Sequence, residues 1–99
     1  MLDLAKIKGF DWDEGNARKN EKHGVSMVEA EQVFFNDPLV VQGDPKHSSH
    51  EPRFHALGKS DGNRPLHITF TLRIDGEMLR VISARDMHRK ERVIYEKAT

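Results

Sequence analysis

Cysteine is absent from this 99-residue chain. That excludes disulfides, thiolate zinc sites and cysteine nucleophiles. No apolar run approaches the roughly 18 residues of a membrane helix, so no membrane role is expected. The start has no basic, apolar and then small-residue succession, so no secretory signal is read there. Nothing points away from the cytoplasm, which is the expected location. An excess of charge of one sign is also missing: sixteen Asp and Glu balance sixteen Lys and Arg. Nucleic-acid binders are often basic overall, so any such role must come from local convergence of charge. There is one tryptophan, one tyrosine and 36% apolar content, enough for one small core. A single domain over residues 1–99 is expected.

What is present is organised around the stretch from Arg80 to Tyr95. It reads as a strand passing into a helix. Residues 78 to 92 carry Arg80, Arg85, Arg89, Lys90 and Arg92 against only Asp86 and Glu91. Apolar residues are interleaved, so the segment belongs to the core yet holds more cations than a core needs. Such an excess is often just a solvated face.

Taken in order, Phe10 and Trp12 read as a short extended anchor. Asp13 is a helix N-cap, and a polar helix is expected over 14–23, stopped by Gly24. Ser26 and Glu29 form a capping box, with Val25 and Ala30 as a hydrophobic staple. Met27, Ala30, Val33 and Phe34 then make a helical stripe that ends at Asp37-Pro38. Strands follow at 39–42, 51–57, 66–73 and 78–85, the third with strict alternation. Asp75-Gly76 marks the hairpin between the last two. Asp86 is expected to cap a final helix ending near Lys97. The fold class expected is α+β, with two N-terminal helices, a four-stranded antiparallel sheet and a C-terminal helix. One sheet face should pack on helices and the other stay polar.

Several chemistries have no support. His47, His50 and His55 lie near Asp44 and Glu51, but no His-Glu-x-x-His spacing fixes them around a metal. Neither metal nor other cofactor is expected. No glycine-rich phosphate cradle and no serine elbow occurs. RNA cleavage fits what remains, because attack of a 2′-hydroxyl on the adjacent phosphate needs only a base, an acid and cations around the phosphorane. Glu51, His55, His67, His88 and Tyr95 are candidate proton handlers. Arg53, Arg64, Arg80 and Arg85 are candidate phosphate clamps, each with the ordinary alternative of an ion pair to Glu51, Glu77 or Glu91. Strict alternation sets Arg80 and Arg85 on opposite faces. Either a bulge near Ser83 realigns them or only one meets substrate.

An ordered set of short motifs carries a resemblance: Phe10-x-Trp12-Asp13-Glu14, Asn20-x-Lys22-His23-Gly24-Val25-Ser26, Glu29-Ala30, Val33-Phe34, Asp37-Pro38-Leu39, Glu51-x-Arg53, Gly58-x-Ser60, Phe70-Thr71-x-Arg73, Arg80-x-Ile82-Ser83-Ala84-Arg85 and Glu91-Arg92-x-x-Tyr95. From about residue 10 to residue 95 the chain resembles the BrnT toxins of bacterial type II toxin–antitoxin systems. The resemblance implies a RelE-like fold and a ribonuclease that arrests translation. It also implies a BrnA-like antitoxin in a toxin–antitoxin complex, with a heterotetramer as one expected form, and DNA contact only through the antitoxin. Asp86-Met87-His88 departs from the small residue usual after the second motif arginine. Expected catalytic residues are Glu51, Arg53, Arg80, Arg85 and Tyr95, with Arg80 and Arg85 as clamps, Glu51 or Tyr95 as proton handler and Arg53 in support. Expected RNA-binding residues are Lys22, His55, Arg64 and His88. A non-catalytic module docking an acidic partner or nucleic acid on the same face is the alternative.

Overall fold

A computed structural model describes residues 4–15, 23–49 and 51–99. The helix expected over 14–23, Lys22 and His50 therefore fall wholly or mainly outside the described residues. Five strands form one sheet: β1 (Gly9–Asp11), β2 (Val40–Gly43), β3 (Arg53–Lys59), β4 (Pro65–Arg73) and β5 (Met78–Asp86). Helix α1 spans Met27–Val33 and helix α2 spans Arg89–Ala98.

The expected sheet needs correction. It has five strands, not four, in the order β1-β5-β4-β3-β2, and it is mixed because β1 runs parallel to β5. The expected pair of N-terminal helices is corrected as well: among the described residues one α-helix, α1, precedes the sheet meander and one follows it, while positions 14–23 lie mainly outside them. The class is still α+β. The physical reason is that β1 is three residues long, too short for alternation to register, and its partner lies about 70 positions away. Phe10 pairs with Leu79 and Asp11 with Arg80. The Lys8 N–H, donating to the Glu77 carbonyl at 2.7 Å, aligns the entry.

Local signals explain α1. The Ser26 hydroxyl accepts from the Glu29 N–H at 3.1 Å, and Glu29 reaches back to the Ser26 N–H at 3.2 Å. This satisfies donors a helix start leaves orphaned. Ala30 and Val33 are fully buried against the sheet with Val25. Alternation in β4 sends Leu66, Ile68 and Phe70 to this side, where Phe70 meets the Phe34 ring edge-on at 5.1 Å. Gly58 leaves room for α1: a Cβ there would lie 2.8 Å from Val33 Cγ1.

The far end of the chain differs from expectation in one detail. Asp86 ends β5 and binds Arg64 instead of capping α2. His88 takes the N-cap position, and Glu91 accepts from its N–H at 2.8 Å. The Arg64 guanidinium captures Asp86, while Glu91 sits at the N3 position that a capping box requires. Helix α2 lies over the other sheet face through Leu57, Met87 and Tyr95.

Candidate RNA-processing face

Sheet register decides which side chains can meet. Thr69 pairs with Ser83 but Phe70 pairs with Val81, so Ile82 is an extra residue in β5. Burial shows the same shift: Leu79, Val81 and Ala84 are buried, a spacing of two and then three. The bulge turns Arg85 onto the face that Arg80 already occupies.

Three cross-strand rows result. Arg53, Thr71, Arg80 and Asp11 form one. Gln42, His55, Thr69 and Ser83 form the next. Val40, Leu57, His67 and Arg85 form the third, beneath α2. Adjacent rows are two residues apart along β2, β3 and β4, about 6.6 Å, while in β5 the bulge makes the step from Arg80 to Ser83 three residues.

In the first row, Arg80 Nη2 donates to Asp11 Oδ2 at 3.0 Å, and Arg73 lies 3.7 Å from the same oxygen. The Thr71 hydroxyl donates to the Pro52 carbonyl. The Nε atoms of Arg53 and Arg80 are buried and bond to no protein group. Glu51 and Arg53 line one shallow surface pocket with Lys46 and His47.

The middle row holds a hydrogen-bonded chain. His55 Nε2 donates to Asp44 Oδ2 at 2.7 Å, and His47 Nδ1 donates to the same oxygen at 2.8 Å. The bond from His55, helped by His47, holds the Asp44 carboxyl down at about 2. Thr69 Oγ1 lies 3.1 Å from His55 Nδ1.

At the third row, both Arg85 Nη atoms donate to Glu91, at 2.8 and 2.9 Å. Burial works to raise the Glu91 pKa, but Arg85, the His88 N–H and His67 outweigh it and hold the carboxyl at about 2. His67 Nε2 stands 3.7 Å from Glu91, and its Nδ1 is buried without a partner. Burial, aided by Arg85, His55 and His88 against Glu91, lowers the His67 pKa to about 4. The ring is therefore neutral at pH 7. Its centroid is 5.0 Å from that of His55. A cavity of about 360 Å³ opens here, lined by Val40, Gln42, His55, Leu57, His67, Arg85, Glu91 and Ile94.

Of the expected site residues, Arg53, Arg80, Arg85 and His55 share this face, and Glu51 stands at its rim. Three others lie elsewhere. The Tyr95 hydroxyl donates to the Pro38 carbonyl at 2.6 Å, and burial pushes its pKa up. Arg64 ties Asp86, Glu29 and the Gly24 carbonyl together, and Asp86, with Glu29, raises its pKa. His88 is exposed at the start of α2. The expected ion-pair alternative holds for Arg85 with Glu91; for Arg80 the partner is Asp11, which the separation in sequence hid. Asp44 and Gln42 carried no motif, and only the pairing of β2 with β3 brings them to His55. No group of three or more His, Asp or Glu among the described residues is arranged to hold a metal ion. No described helix is long and apolar enough to cross a membrane.

Comparison with known proteins then bears on the chain. The family model described as ribonuclease toxin, BrnT, of type II toxin–antitoxin system matches residues 12–91. Among solved structures, the chain is similar to the crystal structure of the Brucella abortus ribonuclease toxin BrnT. Identity is 24%, the TM-score is 0.57, and the match covers 82% of this chain and 97% of that one. No curated protein matches the sequence.

Proposed function

This chain belongs to the BrnT family, ribonuclease toxins of type II toxin–antitoxin systems, and on that premise we propose that it cleaves RNA on the polar sheet face without a metal ion. The observation that carries the reading is the Ile82 bulge, which sets Arg80 and Arg85 on one face with Arg53 and His55. A 2′-hydroxyl attacks the adjacent phosphate: the P–O2′ bond forms, the P–O5′ bond breaks, and a 2′,3′-cyclic phosphate and a 5′-hydroxyl result. Arg53 and Arg80 clamp the phosphate, with unused Nε–H capacity in support of that role. Arg85 adds its charge from the opposite end once it shares its fork between Glu91 and the substrate. His55, held by the ionised Asp44, and Glu51 at the rim handle the protons. Tyr95 acts indirectly, by fixing α2 to the Pro38 carbonyl.

A BrnA-like antitoxin neutralises the protein by covering this face, in a complex whose heterotetrameric form and DNA contact come through the antitoxin. The cytoplasm, where its RNA substrate lies, is the proposed location.

The test is cleavage of a defined RNA by purified protein in excess EDTA. The cyclic phosphate product is expected. Arg80→Ala should lower kcat about 10²- to 10³-fold, the cost of removing one preorganised charge-stabilising donor, with thermal unfolding reporting the fold. RNA left intact by wild-type protein, while a control ribonuclease cuts it, overturns the reading.

A further inference from the structure

We propose that the cavity between α2 and the sheet is a nucleobase pocket, seating one unstacked base of single-stranded RNA beside the phosphate held by Arg53 and Arg80. This proposal rests on the ribonuclease reading. Its walls suit a flat heteroaromatic ring. Val40 and Leu57 supply an apolar floor, and Ile94 reaches over it from α2. The His55 ring offers a stacking surface, the mode by which proteins hold unpaired bases. At about 360 Å³ the space falls in the range of small-ligand sites.

A second, independent observation points to a ligand. His67 lines this cavity, is 8% exposed, and keeps a buried Nδ1 with no hydrogen-bond partner. A buried polar atom left unpaired is destabilising, so a partner that arrives with the ligand is favoured. The neutral ring has one proton to place. Glu91, 3.7 Å from Nε2, favours it on that nitrogen, leaving Nδ1 as an acceptor. An acceptor there takes an N–H from a base edge: an exocyclic amine of adenine, cytosine or guanine, or the ring N–H of guanine or uracil.

Position supports the same assignment. The row of Arg53 and Arg80 lies two row spacings from the row of His67 and Arg85, with His55 and Ser83 between. A phosphate at one end and its base at the other follow one polar track across the sheet. A base paired in a duplex would be barred from the cavity by its neighbours in the stack.

The experiment follows the imidazole resonances of His55 and His67 by NMR in the full chain. The probes are the four nucleoside 5′-monophosphates and 2′-O-methyl dinucleotides, which cannot be cleaved. Shifts at His67 are expected with the nucleotides and the dinucleotides, and none with ribose 5-phosphate, which has no base. Ile94→Trp, at a half-exposed position, should fill the pocket, erase those shifts and raise KM about 5- to 150-fold, matching about 1–3 kcal/mol for stacking one base. It should also level the choice of cleavage site, which a merely structural role would not do. Gln42→Trp, at the exposed rim, repeats the test should Ile94→Trp unfold. No shift at His67 with millimolar nucleotide, or an unchanged cleavage pattern in a folded filled variant, overturns the pocket. Absence of cleavage by wild type counts against the ribonuclease reading alone, because the NMR arm still decides whether bases bind.

Discussion

Removing the Glu91 carboxylate should cost this fold about 3 kcal/mol at pH 7. One side chain serves three donors: both Arg85 Nη atoms and the His88 N–H, all within 2.9 Å. The cap contributes about 1 kcal/mol. The charged hydrogen bonds to Arg85 add about 1.5–3 kcal/mol, since the pair is only 30% and 21% exposed. An independent route gives the same size. A fall from the ordinary 4.5 to about 2 is worth at most about 3.4 kcal/mol. Because the folded pKa is depressed, this stability is present above about pH 4.5 and is lost as pH falls toward 2. Glu91→Ala should therefore lower Tm by about 12–24 °C at pH 7, taking about 4–8 °C per kcal/mol for a domain this size. The gap from wild type should shrink between pH 4.5 and 3. Urea unfolding of Glu91→Ala, Arg85→Met and the double variant would complete a cycle. The double variant should be at least about 1 kcal/mol more stable than the sum of the singles predicts. A loss below about 0.5 kcal/mol at pH 7, or strict additivity, would refute the reasoning.

His67 gives a second pH signature with a different window. Burial lowers its pKa from 6.5 to about 4, so between these values the unfolded chain binds more protons and stability rises with pH. His67→Gln should flatten the stability profile between pH 4 and 6.5, measured by urea denaturation; an unchanged slope would show that the ring does not carry it. Gly58→Ala tests the contact between α1 and β3. The new Cβ would meet Val33 Cγ1 at 2.8 Å, and such overpacking should cost about 1–3 kcal/mol. Combining it with Val33→Ala should recover part of the loss, and no recovery would place the strain elsewhere.

The elements that were legible in the sequence are those whose signals are local. Ser26 and Glu29 cap α1 by contacts three residues apart, and alternation from Leu66 to Arg73 marks β4 because one face is buried. The strand β1 was not legible as part of the sheet. Its three residues gain stability only from β5, and no pattern within Gly9–Asp11 encodes that distant partner. The same holds for side-chain roles. Arg64 looked like a phosphate clamp because an exposed arginine near a turn has no visible partner; folding brings Gly24, Glu29 and Asp86 around it. Tyr95 has the chemistry of a proton handler, but the carbonyl of Pro38, 57 positions away, takes its hydroxyl. In the sequence Asp44 is only a neighbour of histidines, and the β2–β3 pairing makes it the anchor of His55.

The bulge at Ile82 shows why the candidate site and the core cannot be separated. Arg85 stands five positions after Arg80, so in an unbroken strand one would point toward α1. There it would enter the apolar cluster that Val33, Ile68 and Ala84 share. Burying an unpaired guanidinium costs far more than one lost strand pairing. Leu79 and Val81 fix the first half of β5 on the core side, and Ala84, packed opposite Ile68, fixes the second half on that side too. The extra residue is the register that meets both demands. It leaves Arg80 with Asp11 and Arg85 with Glu91 on the polar face, and thereby aligns two cations that the linear sequence sets at odds. The packing of the opposite face is thus sufficient reason for the bulge, and the convergence of arginines over His55 and His67 follows from it.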